Sequence, residues 1–527
     1  MLASARYWKF GDFGDNPEHP PLAKFIAALP NLGVPCPAPK SYGPFGFKAE
    51  NFTSAIPYLY THDAGAMLLR ARMAISIFTW LLALLVFQAA REMFGAKVAL
   101  LALLLFVFEP NLVAHGALVT TDMAVTCFFF AALYTFYRWL RRPSLLRLTL
   151  CGSAVGLALA SKHSGVFVIP VLAMLALAEL PRGRRLLQLA GALAAIAAIG
   201  FAVLWACYGF RFHARPAGLA MIPPTAAYLA NIPVLPWLAS SHLLPEAWLY
   251  GLADILHVET RDPSFLLGTM YKTGRWFYFP VAFAIKSTLG FLGLLAAAPF
   301  VLRRTARREI VFLLLPALAY LAACLPSKMN LGVRHILPVY PFLIVLVAAS
   351  AVHLARKHRW GTYAAAALLL FHAAASVRVF PNYLTFANEA FGGPTNTFRL
   401  LTDSNADWGQ GLKAAKRYLD THGIHDCWFA HYGWDVNPAY YGIACRPLPS
   451  GIDYRFGAPL PPVPPNIAGT VLISASEADG NYWGEPNPYA QFLYRRPDAL
   501  IANSILVFRG SFDVRLLSSI SHAELSP

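Results

Sequence analysis

Charged side chains are scarce in this sequence of 527 residues. Asp, Glu, Lys and Arg make up 13% of the chain, whereas 57% of the residues are hydrophobic and the mean hydropathy is +0.49. An ordinary soluble protein is about 25% charged, and a soluble domain cannot bury so much apolar surface, because burial is limited by the ratio of surface to volume. Disordered chains are poor in apolar residues, so disorder is excluded as well. The composition therefore indicates a polytopic membrane protein.

Acidic residues and paired cysteines are also few. The 27 Asp and Glu residues leave a formal net charge of +16, and the seven cysteines show neither a CxxC pair nor the spacing of metal ligands. A zinc or iron–sulfur site is therefore not expected. Nucleic-acid binding needs Lys and Arg on one solvated face, but here they form short clusters between apolar runs. Such clusters are typical of loops at a membrane surface.

The apolar runs predict about ten membrane spans. A helix needs about 20 mainly apolar residues to cross the bilayer, and several of the runs are short for that length. The predicted spans are 73–90, 98–115, 121–138, 147–161, 164–180, 186–208, 281–302, 309–325, 335–353 and 361–378.

The connectors between these spans alternate sharply in charge, with sixteen cations in one set and three in the other. The positive-inside rule assigns the first set to the cytosol. The first set contains Arg91, Lys97, Arg138, Arg141, Arg142, Arg147, Arg182, Arg184, Arg185, Arg303, Arg304, Arg307, Arg308, Arg356, Lys357 and Arg359, and the second contains Lys162, Lys328 and Arg334.

This orientation divides the chain into three predicted parts. Residues 1–72 form an extracytosolic first loop with interfacial helices, residues 73–378 form the helical bundle with its outer loop 209–280, and residues 379–527 form a small extracytosolic α/β domain. Within the last part a helix is predicted at 410–419 and strands at 427–429, 471–474 and 504–508. Cys427 and Cys445 lie there, either as a disulfide in an oxidising compartment or as two structural thiols, which is the simpler interpretation.

The first loop holds a carboxylate beside an imidazole, at Glu18 and His19. The prolines around them (NPEHPP, 16–21) stop a helix and fix the backbone, so they predict a rigid turn. A carboxylate and an imidazole near the membrane surface can bind a metal ion or orient a proton donor. An interfacial turn whose polar groups only face water explains the same residues, and the sequence leaves both interpretations open.

Asp122 lies at the outer end of a predicted span. An ionisable residue at membrane depth is costly and usually has a function. Capping is the alternative, since Thr121 or Asp122 could satisfy free N–H groups at the start of a helix. The two roles do not exclude each other.

Cations occur at two otherwise uncharged outer connectors. Lys162 lies at the tip between two spans, and Lys328 and Arg334-His335 lie on another connector. Two basic sites that face the same leaflet can bracket a lipid-linked phosphate or diphosphate. Snorkelling of the lysine toward the interface is the alternative.

Two further motifs are aromatic or polar. The aromatic run 276–279 leads into the span that contains Lys286, and an interfacial aromatic belt explains most of it, although aromatic rings also suit the apolar faces of a sugar. The segment DSNADWGQ (403–410) could cap the following helix or face a cavity at the membrane from above. We favour a structural role for it.

Together these motifs resemble a family of bacterial membrane glycosyltransferases, those similar to protein O-mannosyltransferases and aminoarabinose transferases (glycosyltransferase family 39-like). These enzymes have the GT-C fold and use polyprenyl-phosphate sugars. The resemblance covers nearly the whole chain, and NPEHPPLAK and DSNADWGQ are its most specific parts. The matching segments are NPEHPPLAK (16–24), VTTDMAV (119–125), GLALASKHSG (156–165), WFYFPVAFAIKS (276–287), NLGVRHILPVYPFL (330–343) and DSNADWGQ (403–410).

The resemblance implies that a sugar is transferred from polyprenyl phosphate to a hydroxyl of a protein, lipid or glycan acceptor, on the extracytosolic side of the bacterial cytoplasmic (inner) membrane. It implies catalytic roles for Glu18 and Asp122, with Glu18 also the candidate ligand of a divalent metal that is not required. The residues implied for binding the donor phosphate are Lys162, Arg334, His19 and Lys24.

One departure from the family concerns the N-terminus. Family members normally begin with a transmembrane helix and an Asp-Glu pair, the expected general base or acceptor-orienting group, just before the stretch that matches Tyr7-Trp8-Lys9. This sequence starts at Met1, after the place where the pair would stand and without a preceding apolar segment. We therefore expect a shortened N-terminus, and weak or no transferase activity if the chain is truly this short.

The expected chemistry is a displacement at the anomeric carbon, with inversion by the family's pattern. The lipid phosphate leaves, and Lys162, Arg334 or a metal at Glu18 stabilises its charge. A secondary transporter is the alternative from another class, but it would need two related halves, and the sequence shows no internal repeat. A noncatalytic relative of the enzyme is the other alternative, because the N-terminal acidic motif is absent.

Overall fold

The computed structural model of the protein describes eight ranges: 1–41, 47–183, 185–258, 263–302, 307–433, 437–455, 458–484 and 486–522. Arg184, Arg303 and Arg304, which the charge pattern assigns to the basic connectors, lie outside these ranges.

Three helices precede the membrane bundle: α1 (Leu2–Phe10), α2 (Pro21–Ala28) and α3 (Phe47–Tyr60). Pro21 is the first residue of α2, a position where the missing N–H of proline costs nothing because that group has no partner within the helix. Residues 11–20 therefore form a short loop between α1 and α2, and this loop carries Glu18 and His19.

Helices dominate the middle of the chain. They are α4 (Ala64–Ile75), α5 (Ile77–Phe94), α6 (Ala96–Val107), α7 (Pro110–Gly116), α8 (Asp122–Arg141), α9 (Leu145–Ser161), α10 (Val168–Leu177), α11 (Leu186–Cys207), α12 (Pro223–Ala230), α13 (Val234–Ser240), α14 (Glu246–Val258), α15 (Tyr278–Lys286), α16 (Leu289–Val301), α17 (Arg307–Cys324), α18 (Tyr340–Lys357) and α19 (Arg359–Val379).

All ten predicted spans coincide with helices, but not all of these helices are continuous spans. Among the described residues, six helical segments are long and apolar enough to cross a membrane, or eight if the bent pairs α6–α7 and α15–α16 each count as one span. The two pairs bend by 63° and 116°. The other two predicted spans are α9, which has 17 residues, and α17, whose 18 residues begin with three charged ones. The polytopic, mostly helical fold predicted from composition is confirmed.

Two segments form the centre of the bundle. In the most apolar stretch of Val333–Lys357, 94% of the residues are buried, and in that of Asp122–Arg141 the share is 83%. The corresponding share in α11 and in α19 is only 28%. The apolar residues that α11 and α19 expose face the surrounding lipid, because no other described element covers them. The functional residues at the ends of the two central segments are therefore enclosed by protein.

Helices α9 and α11 approach each other closely at small residues. A Cβ atom at Gly156 would lie 2.5 Å from the carbonyl oxygen of Gly200, and one at Gly152 would lie 2.6 Å from the Cβ atom of Ile199. In lipid, where helices gain little from burying apolar surface against each other, such close backbone contact supplies the packing energy. This contact holds α9, and with it Lys162 at the end of α9.

Carboxylates join the basic connectors at one end of the bundle. Arg141 lies 3.1 Å from Glu309, Arg308 lies 2.7 Å from Glu179, and Arg138 lies 3.4 Å from Glu92. We call this the arginine end. Helix α8 runs from Asp122 to Arg141 at 1.5 Å per residue, so the Asp122 end of the bundle is about 30 Å away.

A hairpin of the outer segment contacts the tail. Strands β1 (Ser264–Leu266) and β2 (Thr269–Tyr271) pair antiparallel, and Leu266 also forms an antiparallel bridge with Leu401. The backbone N–H of Leu267 donates to the carbonyl oxygen of Leu400 at 2.8 Å. The C-terminal part is therefore anchored directly over the Asp122 end.

The C-terminal part contains a five-stranded mixed sheet in the order β4-β3-β5-β7-β6. The predicted helix and all three predicted strands are present, and β4 and β6 were not predicted because they are only two and three residues long. The elements are α20 (Leu412–Thr421), β3 (Cys427–Ala430), β4 (Arg446–Pro447), α21 (Gly451–Arg455), β5 (Asn466–Ser474), α22 (Ala475–Ala478), α23 (Ala490–Tyr494), β6 (Ala499–Ile501), β7 (Ile505–Asp513) and α24 (Arg515–His522).

A disulfide joins Cys427, the first residue of β3, to Cys445, the residue before β4. The two strands are parallel neighbours, so the bond lies at one edge of the sheet. The alternative of two free structural thiols is therefore wrong.

Candidate functional site

Asp122 is the first residue of α8, and its side chain is 1% exposed. Its Oδ1 atom accepts a hydrogen bond from Nζ of Lys162 at 2.6 Å, and its Oδ2 atom lies 3.5 Å from Nη1 of Arg334. The carboxylate is thus occupied by two cations, and the side chain of Thr121 does not cap the helix in the described structure. Capping by Thr121 is therefore not observed, and Asp122, Lys162 and Arg334 lie together at one point.

Lys162 follows α9 directly and has an extended backbone before a 3-10 helix, His163–Phe167. The turn is tight because Gly165 packs on α9, where a Cβ atom would lie 2.3 Å from the carbonyl oxygen of Ala158. The Lys162 side chain is 14% exposed and points to Asp122 rather than to the interface. Snorkelling is therefore not its role, and a small part of its side chain stays accessible.

Arg334 lies in the 3-10 helix Val333–Val339, just before α18. Its Nε atom donates to Oγ of Ser404 at 2.9 Å, and its guanidinium carbon lies 4.7 Å from the ring centre of Trp408. Ser404 in turn donates to the carbonyl oxygen of Leu331 at 2.9 Å. The C-terminal part therefore fixes the position of Arg334 through Ser404 and Trp408.

These contacts give the segment 403–410 a place at the site. The sequence favours a structural role for it, and a helix does follow it at Leu412. The prediction missed Ser404 and Trp408 as partners of Arg334, because no pattern in the sequence pairs a serine in the tail with an arginine 70 positions earlier. The only signal in the sequence for this contact was the polar composition of residues 403–410.

Two buried ion pairs fix the first loop. Arg215 donates to both carboxylate oxygens of Asp12, at 3.1 and 3.0 Å, and Arg6 donates to both oxygens of Asp15 at 3.1 Å. All four side chains are at most 2% exposed. Removing one member of such a pair costs about 3–5 kcal/mol. The loop that carries Glu18 is therefore immobile, as its prolines predict, but acidic anchors that the sequence analysis missed also hold it.

The loop lies beside Lys162. A Cβ atom at Gly251 of α14 would lie 1.9 Å from the carbonyl oxygen of Pro17 and 2.7 Å from Nε2 of His163. Pro17 and His163 therefore lie against the same point of α14. The first loop and the turn after α9 therefore meet at α14.

His19 lies in the same charged neighbourhood. Its side chain is exposed, but the protein around it disfavours the charged form and lowers the pKa of His19 to about 4, an effect that the Glu18 carboxylate opposes. The cationic groups of Lys24, Lys162 and Arg334 lower the pKa further. The imidazole of His19 can offer an N–H to a phosphate in this neighbourhood.

Lys24 is held by groups of the first loop and of α1. Its side chain is 8% exposed, and its ammonium group donates to the hydroxyl of Tyr7 at 2.7 Å and to the carbonyl oxygen of Asn16. The group also lies 4.3 Å from the ring centre of Tyr7. Lys24 thus joins α2 to α1 and to the loop between them, and its binding of the donor phosphate stays a prediction.

Two other predicted cations also lie apart from Asp122. Lys328 is exposed, and within the described ranges no ion pair joins it to an acidic residue. Lys286 is buried and donates to the carbonyl oxygens of Leu384 and Asn405, both at 2.7 Å. Lys286 thus connects the bundle to the tail, whereas Lys162 and Arg334 are the two cations that contact Asp122.

The acidic residues of the first loop include Glu18, the candidate ligand of a divalent metal. In the part of the chain that the structure describes, no group of three or more His, Cys, Asp or Glu side chains could hold one. Asp12 and Asp15, the other carboxylates of the loop, are occupied by arginines. A divalent metal at Glu18 would need further ligands from the donor phosphate or from water, and it stays a prediction.

The cluster as a whole suits a phosphate. Two cations and one carboxylate leave a net charge of about +1 at the N-terminus of α8, where the helix dipole also favours an anion. The cluster lies at the end of a helix and is enclosed by protein, so the charges act in a medium of lower dielectric than water.

Residues 59–208 match the sequence profile of a family described as dolichyl-phosphate-mannose-protein mannosyltransferase. The match includes Asp122 and Lys162. It confirms the resemblance to polyprenyl-phosphate-dependent glycosyltransferases of the GT-C type, and with it the predicted class of membrane glycosyltransferase. No curated protein sequence matches the chain significantly.

Several solved structures resemble the chain at low identity. ArnT from Cupriavidus metallidurans in the apo state is 13% identical, with 99% of this chain and 93% of that chain covered and a TM-score of 0.44. The same protein bound to undecaprenyl phosphate is 14% identical, with 96% of this chain and 92% of that chain covered and a TM-score of 0.43. A third structure is the archaeal oligosaccharyltransferase AglB from Archaeoglobus fulgidus in complex with an inhibitory peptide and a dolichol-phosphate. It is 13% identical, with 90% of this chain and 68% of that chain covered and a TM-score of 0.38. At these TM-scores the likeness assigns no role to any residue of this chain.

Proposed function

We propose that Lys162 and Arg334 bind the phosphate of a polyprenyl-phosphate sugar and that Glu18 orients and deprotonates the acceptor hydroxyl. The observation that carries this proposal is the shared carboxylate of Asp122, which holds two cations of different chain segments at one buried point. Asp122 is a positioning residue in this scheme. Its charge lets both cations stay in place before the donor arrives.

The negative charge on the donor phosphate increases during the reaction, and the two cations of the cluster can stabilise that increase. A sugar linked to a lipid phosphate is a phosphodiester with one negative charge. When the acceptor oxygen forms a bond to the anomeric carbon, the bond from that carbon to the phosphate oxygen breaks, and the phosphate keeps the electron pair. Its charge rises toward −2, so Lys162 and Arg334 stabilise the transition state more than the bound donor.

The proton of the acceptor hydroxyl passes to the Glu18 carboxylate in this scheme. The phosphate is a good leaving group, so no acid is needed on the departing oxygen. The fixed loop supports this role, because a general base must lie within hydrogen-bond reach of the proton that it takes. The two buried ion pairs of Asp12 and Asp15 supply that rigidity.

The site is proposed to face the extracytosolic side of a bacterial inner membrane. The support is the contrast between the two ends of the bundle: the arginine end collects the basic connectors, and the positive-inside rule assigns such an end to the cytosol. The disulfide of the C-terminal part agrees with this orientation, since disulfides persist in oxidising compartments.

Binding of undecaprenyl phosphate to the purified protein in nanodiscs tests the phosphate site. We expect K162M and R334M to weaken binding by about 10-fold or more, because each removes a charge-assisted hydrogen bond. K328M is the matched control, since it removes one exposed lysine on the same side. R334K keeps the charge but loses the planar fork, and it distinguishes a binding defect from misfolding. Equal losses for K328M and K162M, or none for K162M and R334M, would contradict the proposal.

Transfer from radiolabelled polyprenyl-phosphate mannose to membrane acceptors tests the reaction. We expect label in the acceptor fraction with the wild type, and none with E18Q, which should still bind undecaprenyl phosphate. Uptake of label into vesicles without transfer would support the transporter instead. Binding without transfer or uptake would support the noncatalytic relative.

A further inference from the structure

A second basic site lies at the arginine end of the bundle, about 30 Å from Asp122. It is a cavity of about 340 Å³ between α5, α8 and the start of α9. The lining residues are Glu92, Tyr137, Arg138, Arg141, Arg142 and Arg147.

The positive charge of this cavity is only partly neutralised. Arg138 pairs with Glu92 at 3.4 Å, and Arg141 pairs with Glu309 at 3.1 Å. Arg147 donates to carbonyl oxygens and not to a carboxylate. In the described part of the chain, the guanidinium group of Arg142 has no hydrogen-bond or ion-pair partner. At least two guanidinium groups are therefore available to an anion.

The loop that presents these groups is folded in a defined way. Nη1 of Arg147 donates to the carbonyl oxygens of Arg138 at 3.0 Å and Arg142 at 2.6 Å, and the backbone N–H of Arg147 donates to Oγ of Ser144. Arg138 and Arg141 lie over the rings of Tyr134 and Tyr137, at 5.7 and 5.9 Å. A preorganised set of donors loses little conformational entropy when it binds a ligand.

Apolar side chains continue from the cavity along the outside of α9. Leu145 is 82% exposed and Leu146 is 69% exposed, directly between Arg142 and Arg147 in the chain. Two exposed leucines beside free arginines are unfavourable in water, but they match the boundary where lipid headgroups meet acyl chains. The combination favours an amphiphilic anion over a soluble one.

We propose that this cavity binds the phosphate headgroup of an anionic membrane phospholipid from the leaflet at the arginine end, with an acyl chain against Leu145 and Leu146. Basic cavities between membrane helices are suited to such headgroups. The site is separate from the Asp122 cluster and does not depend on the proposed function. Its ligand would be a structural or regulatory lipid, bound at the face opposite to the sugar chemistry.

The test uses the purified protein in phosphatidylcholine nanodiscs, with dioleoyl phosphatidylglycerol added stepwise and retained lipid measured by native mass spectrometry. We expect the wild type to retain phosphatidylglycerol in preference to phosphatidylcholine, and R142Q to lower its apparent affinity about fivefold, the effect of one basic residue near an anionic surface. R142Q removes no hydrogen bond or ion pair among the described residues, so its fold should be intact. R356Q is the matched control, because it removes another exposed arginine at the same end.

Two outcomes would overturn the proposal. Equal losses for R142Q and R356Q would mean that the lipid responds only to the general charge of this face. Stabilisation by inorganic phosphate, measured by thermal unfolding in pure phosphatidylcholine and lost in R142Q, would assign the cavity to a soluble phosphate compound instead of a lipid. Substitution of both Leu145 and Leu146 by Ser distinguishes a lipid from a soluble phosphate compound. It should lower the retention of phosphatidylglycerol and leave any stabilisation by inorganic phosphate unchanged.

Discussion

Nζ of Lys162 lies 2.6 Å from Oδ1 of Asp122, although 40 positions separate the two residues in the chain. The other carboxylate oxygen faces Arg334, so one aspartate holds two cations that would otherwise repel each other. Each cation comes from a different connector, and the C-terminal part contacts one of them through Ser404. The candidate site is thus a junction between the bundle and the tail.

The Asp122→Asn substitution should destabilise the protein without ligand. It leaves two enclosed cations without their carboxylate, and uncompensated buried charge costs about 3–5 kcal/mol. Undecaprenyl phosphate should restore part of the loss, because its phosphate would replace the missing negative charge. Thermal unfolding in detergent, with and without the lipid, measures both effects.

The control for this substitution is Asp420→Asn, which removes an exposed partner of Lys416. An exposed pair contributes about 1 kcal/mol or less, so D420N should unfold near the wild-type temperature. If D122N is as stable as D420N, or if the lipid stabilises D122N less than the wild type, the assignment of Asp122 as holder of the phosphate-binding cations is wrong.

Ser404→Ala should weaken the binding of undecaprenyl phosphate by about 3- to 10-fold, since the loss of one hydrogen bond to a charged group costs on the order of 1 kcal/mol. The substitution removes the acceptor for Nε of Arg334 and leaves the guanidinium free to rotate over Trp408. Titration of the nanodisc-embedded protein with the lipid measures the change. Ser519→Ala, a serine that bonds only within the exposed face of α24, should bind as the wild type does; a similar loss there would indicate a general defect of the C-terminal part.

The stability of the protein should rise between pH 7 and pH 9 because of Lys24. Burial lowers the pKa of Lys24 from 10.5 to about 7, with Glu18, Asp15 and Asp12 opposing the shift. Between these values the unfolded chain binds a proton that the folded chain lacks, so the free energy of unfolding increases with pH, by up to about 2 kcal/mol over two pH units. Below pH 7 both states are protonated, and this contribution no longer changes with pH.

Thermal unfolding of Lys24→Met across the same pH range checks this assignment. The variant should show a flatter dependence on pH than the wild type, whereas Lys416→Met, at an exposed position, should keep the wild-type slope. Identical slopes for the wild type and K24M would show that the Lys24 ammonium group is solvated, and the assignment of this pH dependence to Lys24 would then be wrong.

Alkylation should reveal two more thiols after reduction than before it. The protein has five free cysteines, and the Cys427–Cys445 bond should survive only if the C-terminal part lies in an oxidising compartment. Mass spectrometry of the denatured protein, treated with a maleimide before and after reductant, counts them. Cys427→Ser should make Cys445 reactive without reductant. Seven reactive thiols in the unreduced wild type would place the C-terminal part on the cytosolic side.

The hydropathy and charge patterns of the sequence were enough to predict the helical bundle and the separation of its two ends. A span depends on about 20 consecutive apolar residues, and the charge of a connector is also a local property, so neither needs knowledge of the fold. The isolated charges Asp122, Lys162 and Arg334 could be selected for a similar reason, since charge at membrane depth is expensive and therefore rarely incidental.

Which residues contact those charges was decided by the packing of the helices. The sequence does not contain the rotation of α8 that turns Asp122 toward two other connectors, or the packing of α2 on α1 that places Lys24 against Tyr7. It also gives no sign that Ser404 and Trp408 lie against Arg334, or that Asp12 meets Arg215. Contacts between distant segments depend on how whole helices and a sheet fill space together, and a hydrogen bond changes its partner over a few ångströms.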